Sequence, residues 1–318
     1  MNISTERRTA AILDGRELAA RIRGEVALGV AELVARGGRP PGLGVILAGE
    51  DPASHVYVGS KVKACAEVGM IGKKVTLPED LTAPVLHAAI EQLNRDPEID
   101  GFLVQLPLPN GLSEKDALLS IDPDKDVDGF HPVNVGRLWV DEPGFTPATP
   151  TGIVRLLKEH YAAQGSSLLG REVVIVGRSA IVGKPMAGLL LREHCTVTIA
   201  HSRTVDLPAV TRRAEILIVA IGRAGLIGPQ HVREGAVVVD VGMNRVRDAE
   251  TVERLFPGDP GKARQLAEKG SILTGDVDFH GVSRIASAIT PVPGGVGPLT
   301  VGMLVASTLA SSRRRQGL

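Results

Sequence analysis

The sequence predicts an α/β protein of two domains, each built on a mostly parallel sheet. Helical and strand patterns alternate along residues 15–106, which is typical of parallel α/β sheets. Further along the chain, the run Val173-Val174-Ile175-Val176 leads directly into Gly177, as a buried parallel strand leads into a tight turn. The length of 318 residues is about twice that of an average domain.

The elements of the first half follow from apolar periodicity. Between residues 16 and 36, apolar side chains recur every three or four positions, which indicates a helix with one buried face. Two further helices are expected, one that begins at Asp51-Pro52, because proline favours the first turn, and one at 85–93. Three strands are expected: an apolar one at 43–47, a second at 73–77, and a third at 99–106 that is buried.

The second half repeats this alternation after a passage rich in proline and aspartate, 107–150, which we expect to be an inter-domain boundary. A helix from Thr151 leads to the strand at 173–176, and three more strands are expected at 196–200, 215–221 and 236–241. The charged, helical-looking segment 247–270 interrupts the rhythm and indicates a surface insertion. An apolar helix is expected at 299–309.

Composition argues against several classes of function. Lysine plus arginine and aspartate plus glutamate both number 36, so net charge gives no reason to expect nucleic acid or a membrane surface as a partner. No apolar run reaches the ~18 residues that span a bilayer. The two cysteines and the scattered histidines lack metal-ligand spacing, so no metal site is expected.

A reducing cytoplasm fits the low cysteine content best. The first ten residues are polar and lack the apolar core of a signal peptide. The alternative is that Arg7-Arg8 marks the end of a cut transit peptide.

Tyr57 and Lys61 lie four residues apart on the second predicted helix and therefore share one face. A phenol beside an ammonium is an acid–base pairing. Burial lowers the pKa of a lysine from about 10.4 toward neutrality, where it can pass protons. The alternative is a surface lysine beside a half-buried tyrosine. The pair precedes the glycine turn in the chain, whereas the tyrosine–lysine pair of short-chain dehydrogenases follows it.

Two further positions follow a strand or flank a turn. Gln105 lies near the end of the strand at 99–106, and open α/β sheets place ligands at the carboxyl ends of their strands. It is either a site residue or an amide that holds the following loop. Asp126 and Asp128 flank the next turn, where one carboxylate can accept hydrogen bonds from an amino-pyrimidine ring. The alternative is that both cap the turn.

The turn after the four β-branched residues is typical of a dinucleotide site. Gly177 lets backbone N–H groups approach a phosphate, and Gly183 opens a helix whose N-terminus is partly positive. The spacing departs from G-x-G-x-x-G, and a plain tight turn is the alternative. Ser202-Arg203 stands where an NAD site normally has an acid, and Arg178 lies in the turn. Hydroxyl and guanidinium groups bind a 2′-phosphate, whereas an acid repels it, so NADP is favoured over NAD.

Taken together, five motifs resemble the bifunctional methylenetetrahydrofolate dehydrogenase/cyclohydrolase family, the FolD-type enzymes. They occur in chain order at 51–65, 101–109, 125–130, 177–185 and 290–298. The resemblance extends over nearly the whole chain, from about residue 11 to about residue 310. It implies two domains that flank a cleft, an N-terminal parallel-sheet α/β domain and a Rossmann-like NAD(P)-binding domain. The folate-binding catalytic domain is expected at 1–149 and 298–318, with the C-terminal helix packed back, and the NADP domain at 150–297.

The resemblance also implies an activity and a set of site residues. The enzyme would oxidise 5,10-methylenetetrahydrofolate with NADP+ and hydrolyse the methenyl product to 10-formyltetrahydrofolate, in one-carbon metabolism and purine biosynthesis. Lys61 matches the lysine that handles protons in hydrolysis, Tyr57 the tyrosine that stacks on the folate, and Gln105 the glutamine that tunes the lysine. Asp128 matches the aspartate that holds the pterin.

The remaining implied contacts lie in the second half of the chain. Pro293, Gly294 and Gly295 match the family's loop that lies along the folate, called the folate loop below. The family's cofactor contacts are matched by Gly177, Arg178, Ser179, Ser202 and the backbone near Met243. The family is usually a homodimer through the cofactor domains.

The chain departs from the family pattern at two places. Ala148 stands where many members have a cysteine, and the segment 247–270 is longer than in compact members. Three alternatives remain open at this point. These are a member of the same family with only one activity, an NADP dehydrogenase of small acids that resembles shikimate dehydrogenase, and a non-catalytic NADP-binding regulator.

Overall fold

A computed structural model describes residues 9–318, so the alternative that concerns Arg7-Arg8 lies outside the described residues. The strands are β1 (Ala11–Ile12), β2 (Gly42–Ala48), β3 (Ile71–Leu77), β4 (Gly101–Val104), β5 (Glu172–Val176), β6 (Thr196–Ala200), β7 (Ile216–Val219), β8 (Val237–Asp240), β9 (Asn244–Val246), β10 (Ile272–Thr274) and β11 (Ala288–Ile289). The helices are α1 (Gly15–Ala35), α2 (Pro52–Glu67), α3 (Ala83–Arg95), α4 (Glu114–Leu119), α5 (Pro132–Trp139), α6 (Ala148–Ala162), α7 (Gly183–Arg192), α8 (Leu207–Thr211), α9 (Ala249–Leu255), α10 (Pro260–Lys269), α11 (Phe279–Val282) and α12 (Val296–Gln316). None of these helices is long and apolar enough to cross a membrane.

The chain divides into two compact units, and the six-stranded unit joins residues 9–16 to Ile153–Pro298. Its sheet has the strand order β1-β11-β8-β7-β5-β6, and every neighbouring pair is parallel. The residues of β7 and β8 are all buried, as are four of the five in β5. Strands covered on both faces favour apolar residues at successive positions, which is why β5, β7 and β8 contain continuous apolar runs without alternation.

The three-stranded unit joins Glu17–Gly152 to Leu299–Leu318. Its sheet has the order β3-β2-β4, with both pairs parallel. All seven residues of the central strand β2 are buried, whereas β3, at the edge, is partly exposed. The amphipathic helix α3 buries four residues, of which Leu86, Ile90 and Leu93 pack in one cluster with Phe102 of β4. This packing fixes the carboxyl ends of β2 and β4, where the site described below begins.

The N-terminal segment differs from the expected domain division. Residues 9–16 were expected in the first domain, but Ala11 and Ile12 pair with Ala288 and Ile289 in the six-stranded sheet. A strand of two exposed residues has no apolar pattern to detect, so only its long-range pairing identifies it. The other unit boundaries fall within α6, after Gly152, and within α12, after Pro298.

The segment 247–270 forms two helices, α9 and α10, between the strands of an antiparallel hairpin, β9 and β10. Its helical character was expected and the hairpin was not, because strands of three residues that include Arg245 lack a clear apolar pattern. The insertion has a small core of its own, which is formed by Val246, Val252 and Ile272 with Ala224, Phe256 and Leu266 packed against them.

Candidate active site

The start of α2 positions the predicted acid–base pair. Asp51 caps the helix by accepting a hydrogen bond from the backbone N–H of Ser54 at 2.8 Å, and Pro52 occupies the first turn. Tyr57 and Lys61 therefore lie one turn apart on the same face. Lys61 is only 7% exposed and Tyr57 is half-buried. The alternative of a surface lysine is wrong for this chain.

Gln105 follows β4 and holds the amino group of Lys61. The side-chain Nε2 of Gln105 donates to the carbonyl oxygen of Leu106 at 2.8 Å, and its Oε1 accepts from Lys61 Nζ at 3.1 Å. Because the amide nitrogen is already engaged, the amide oxygen faces the lysine. A neutral acceptor can bind either an ammonium or an amine, so Gln105 positions Lys61 without adding a charge that would keep it protonated.

Asp128 completes this site electrostatically. Burial lowers the pKa of Lys61 below its ordinary value, and the carboxylate of Asp128 partly opposes that shift. Burial likewise raises the pKa of Asp128, and the charge of Lys61 opposes that shift. Both shifts favour the neutral forms, so a neutral Lys61 amine is more accessible near neutral pH than in an ordinary lysine.

Asp126 and Asp128 have different surroundings. Asp126 is 1% exposed, and its Oδ2 accepts hydrogen bonds from the backbone N–H of His131 at 2.8 Å and from Nδ2 of Asn134 at 2.9 Å. Asp128 remains partly exposed. Asp126 therefore fixes the turn, as the capping alternative expected, and Asp128 is the carboxylate that a ligand can reach.

Replacing Asp126 with asparagine is expected to remove a pH-dependent loss of stability. Burial raises the pKa of Asp126 from 3.8 to about 6, so the folded state prefers the protonated carboxyl. The contribution of Asp126 to the free energy of unfolding is therefore complete below the pKa of the unfolded state. It is lost as the pH rises through about 6, by roughly 3 kcal/mol at most. An asparagine oxygen can accept both bonds made by Oδ2 and does not ionise. The melting temperature of Asp126→Asn minus that of wild type should therefore increase from pH 4 to pH 8 in thermal unfolding followed by circular dichroism. A difference independent of pH contradicts this assignment.

In the six-stranded unit, the turn after β5 is built on two glycines that leave no room for a side chain. Gly177 has a φ of 131°, and a Cβ there would overlap the carbonyl oxygen of Ala220. A Cβ on Gly183, the first residue of α7, would overlap the carbonyl oxygen of Gly177. This close packing sets the N-terminus of α7 at the carboxyl end of β5, where backbone N–H groups can meet a phosphate.

A cavity of about 250 Å³ lies at the carboxyl ends of β5, β6 and β7. Three of the predicted cofactor residues line it, namely Gly177, Arg178 and Ser202. Ser179 lies in the turn, where its Oγ accepts from the backbone N–H groups of Val182 at 3.1 Å and Gly183 at 3.3 Å. The Ser179 hydroxyl proton therefore stays available for an acceptor. Met243 follows β8 and is 50% exposed.

Several residues that line this cavity were not predicted from the sequence. They are Val176, His201, Leu207, Ala220, Ile221, Arg223 and Leu226. The rule that ligands bind at strand carboxyl ends would have found the residues that follow β7. Neither the Arg178 nor the Arg223 side chain is hydrogen-bonded or ion-paired to any residue in 9–318. Two guanidinium groups without counter-charges in one cavity favour an anionic ligand, and a 2′-phosphate fits this requirement.

A buried carboxylate fixes the wall that carries Arg223. Asp276 is fully buried and accepts hydrogen bonds from the backbone N–H groups of Ile221, Gly222 and Arg223 at 2.7–2.9 Å. Its own N–H donates to Oδ1 of Asp240 at 2.9 Å. Neither acid was predicted from the sequence, because most of their partners are backbone N–H groups from distant parts of the chain, which leave no spacing signal.

The predicted folate loop lies between β11 and α12. Gly294 has a φ of 115°, and a Cβ there would lie 2.9 Å from Nε of Arg16. Gly295 donates its N–H to the carbonyl oxygen of Pro291 at 2.8 Å, which closes the turn around Pro293. The role of these residues in folate binding stays a prediction.

Two family models cover most of the chain. The model described as the NAD(P)-binding domain of tetrahydrofolate dehydrogenase/cyclohydrolase matches residues 147–316, which is more than half of the chain. The chain belongs to the tetrahydrofolate dehydrogenase/cyclohydrolase family. The catalytic-domain model of the same family matches residues 13–128. These matches confirm the resemblance inferred from the five motifs.

Individual family members are similar over nearly their whole length. The bifunctional protein FolD of Geobacillus thermodenitrificans is 50% identical over 306 residues, which cover 96% of this chain and 98% of that protein. The crystal structure of the bifunctional FolD of Campylobacter jejuni superposes with a TM-score of 0.85 at 43% identity, over 96% of this chain and 99% of that one. The FolD of Trypanosoma brucei, complexed with NADP cofactor and inhibitor, superposes with a TM-score of 0.84 at 37% identity, over 96% and 98% of the two chains.

The family models divide the candidate residues as the two units do. Lys61, Gln105 and Asp128 fall within the catalytic-domain match, and Arg178 and Ser202 fall within the NAD(P)-binding match. Among residues 9–318, no group of three or more histidine, cysteine, aspartate or glutamate side chains is arranged to hold a metal ion.

Proposed function

We propose that this chain oxidises 5,10-methylenetetrahydrofolate with NADP+ and hydrolyses the resulting methenyltetrahydrofolate to 10-formyltetrahydrofolate. The observation that carries the proposal is the buried Lys61 held by Gln105 beside Asp128, since hydrolysis needs a group that cycles a proton. Membership of a family of dehydrogenase/cyclohydrolases supports both halves of the reaction.

For the dehydrogenase half, the residues of the chain mainly bind and align. NADP+, when bound, supplies the hydride acceptor. The glycines at 177 and 183 leave room for its phosphates, and Arg178 and Ser202 would hold its 2′-phosphate. Tyr57 would stack on the folate and Asp128 would accept hydrogen bonds from the pterin. Alignment suffices here, because the folate nitrogen lone pair assists formation of the methenyl cation.

For the hydrolytic half, Lys61 carries the proton. The neutral amine takes a proton from water as the water oxygen bonds to the methenyl carbon. The ammonium then gives its proton to the folate nitrogen as the carbon–nitrogen bond of the ring breaks. The hydroxyl proton of the adduct leaves to solvent as the C=O of the formyl group forms on the other nitrogen. Gln105 keeps Nζ in place throughout, because its Oε1 can accept from both forms.

A two-wavelength assay tests the proposal. The purified protein is mixed with methylenetetrahydrofolate and either NADP+ or NAD+, and the absorbances of the reduced cofactor and of methenyltetrahydrofolate are followed separately. Reduction of NADP+ without lasting accumulation of the methenyl compound is the expected result. Accumulation of the methenyl compound would indicate a family member with only the dehydrogenase, and no reduction of either cofactor would contradict the proposal.

Arg178→Gln is expected to weaken NADP+ binding by about 10- to 100-fold, because a charge-assisted hydrogen bond to a phosphate contributes about 1.5–3 kcal/mol. NAD+ lacks the 2′-phosphate, so its affinity should change by less than about threefold. Arg203→Gln provides the matched comparison. Arg203 was a sequence-based candidate for the 2′-phosphate, but it does not line the cavity, so its substitution should leave the affinity for NADP+ unchanged. Fluorescence titration with both cofactors measures these affinities. Equal losses for NADP+ and NAD+ in Arg178→Gln would exclude a specific role in binding the 2′-phosphate.

We also propose a cytoplasmic homodimer formed through the six-stranded units. The strand β6 is the edge of its sheet and leaves Ile199 37% exposed, and Leu191 of α7 is 48% exposed. An edge strand with apolar side chains is a surface that pairs readily. Cys65 and Cys195 are buried free thiols, which suits a reducing compartment. Light scattering should give twice the chain mass of 33.4 kDa, and a monomer mass would contradict the dimer.

A further inference from the structure

A second cavity in the six-stranded unit, of about 440 Å³, shares no lining residue with the predicted cofactor cavity. The insertion forms one side of it, with Phe256, Pro257 and Lys262, and the segments after β10 and β11 form the other. Phe279, Val277, Pro291 and Val292 add further apolar surface. The volume lies within the usual range for small-molecule sites, roughly 300–1,000 Å³.

The lining of this cavity includes Thr274, a buried residue whose hydroxyl reaches the cavity. Thr274 is 4% exposed, and its side chain makes no hydrogen bond to any residue in 9–318. Because side chains alternate along a strand, Thr274 faces the same side as Ile272, which packs in the cluster that includes Phe256. No buried polar side-chain atom in the described chain is sealed off without a partner, so the Thr274 hydroxyl keeps its access at the cavity.

The same cavity is also lined by a buried carboxylate. Asp240 is 3% exposed and lines the cavity. Its Oδ1 accepts from the N–H groups of Gly242 and Asp276, and its Oδ2 accepts from that of Val277 at 2.9 Å. Because a carboxylate oxygen can accept two hydrogen bonds, Oδ2 can take one more from a ligand.

The rim of the cavity carries one ammonium, that of Lys262, and one carboxylate, that of Asp259. Lys262 Nζ lies 4.8 Å from the ring centroid of Phe256, at the first turn of α10. The carboxylate of Asp259 is engaged in capping that helix, where Oδ1 accepts from the N–H groups of Gly261 and Lys262. Lys262 is the one lysine or arginine among the lining residues, so its ammonium is the group that would meet a negative charge on a ligand.

We propose that this cavity binds a small planar aromatic anion that carries an amino or ring N–H group. The aromatic ring packs against Phe256 and Phe279, the N–H group donates to Asp240 and Thr274, and the anionic group pairs with Lys262. Phosphate and carboxylate ligands share this chemistry. In either case the ligand has a flat aromatic ring, an N–H donor at one end and an anionic group at the other, as the lining residues require.

Titration calorimetry on the full chain saturated with NADP+ tests the proposal, since saturation keeps the probes out of the cofactor cavity. The probes are guanosine 5′-monophosphate, which carries a phosphate, and 4-aminobenzoate, which carries a carboxylate. At least one should bind with a Kd below about 1 mM. Lys262→Met and Thr274→Val should each weaken that binding by about 10-fold or more, because each loses one polar contact.

Lys269→Met is the matched control, because Lys269 is on the same helix and does not line the cavity, and it should bind the probe as wild type does. Circular dichroism checks that each variant is folded. Absence of binding by both probes overturns the proposal. Unchanged binding in Lys262→Met and Thr274→Val, or an equal loss in Lys269→Met, overturns it as well. Failure of NADP+ itself to bind would contradict the proposed function, while the probe titrations on the variants would still report on this cavity.

Discussion

Lys61→Met is expected to abolish hydrolysis of methenyltetrahydrofolate while the dehydrogenase keeps measurable activity. The substitution removes the one group that cycles a proton in the hydrolytic half, and general acid–base catalysis contributes about 10²- to 10⁴-fold. Hydride transfer depends on alignment and loses less. Methionine fills the space of the buried lysine stem, so the protein should stay folded. The decay of methenyl absorbance without cofactor measures hydrolysis, and NADP+ reduction measures the dehydrogenase.

Lys63→Met is the control for this substitution. Lys63 lies two residues further along α2, and its side chain is 78% exposed. It should retain both activities at wild-type rates. If hydrolysis by Lys61→Met equals that of wild type, the role assigned to Lys61 is wrong. If Lys63→Met loses hydrolysis equally, the effect belongs to charge on the helix and not to the buried amine.

Gly177→Ala is expected to weaken NADP+ binding by about 100-fold, since a misplacement of about 1 Å can have an effect of that size. Gly177 has a φ of 131°, which side chains rarely permit, and the new Cβ would overlap the carbonyl oxygen of Ala220. The turn must therefore move away from β7 and out of register with Arg178 and Ser202. Fluorescence titration with NADP+ measures the loss.

Gly165→Ala is the control that distinguishes the effect of the steric overlap from the effect of a positive φ alone. Gly165 also has a positive φ, of 66°, but a Cβ there would meet nothing within 4 Å. The control should lose about 1–2 kcal/mol of stability and keep its affinity for NADP+. Equal affinities of Gly177→Ala and wild type would show that the turn does not hold the cofactor.

The sequence predicts the interior of the fold better than its edges. The central strand β5, expected at 173–176, spans Glu172–Val176, because a strand buried on both faces leaves a continuous apolar run in the sequence. The expected helix at 299–309 extends as α12 to Gln316, because its polar end is held by tertiary contacts. Ser311 Oγ, for example, donates to the carbonyl oxygen of Asp100 at 2.6 Å. Such a contact between distant residues leaves no periodic signal in the sequence.

The candidate site shows the same division. Helix spacing placed Tyr57 and Lys61 on one face, and the glycine turn placed Gly177 at the end of a buried strand. The pairing of Lys61 with Gln105 arises from the packing of α2 on β2 and β3, with Gln105 following the neighbouring strand β4, so the sequence implied it only through resemblance to a family. The sequence did not indicate the role of Asp276, because that side chain binds backbone N–H groups. It did not indicate the cavity beside the insertion either, because the cavity walls come from separate elements.

The most direct test of the central claim is a product balance in one reaction. The wild-type protein is incubated with 5,10-methylenetetrahydrofolate and NADP+, and the amounts of NADPH and 10-formyltetrahydrofolate are determined together by chromatography with mass detection. Formation of the two products in equal amounts, with little methenyltetrahydrofolate remaining, is the predicted result. NADPH formation that leaves all of the folate as the methenyl compound, or no NADPH at all, would contradict the assignment of both activities to this chain.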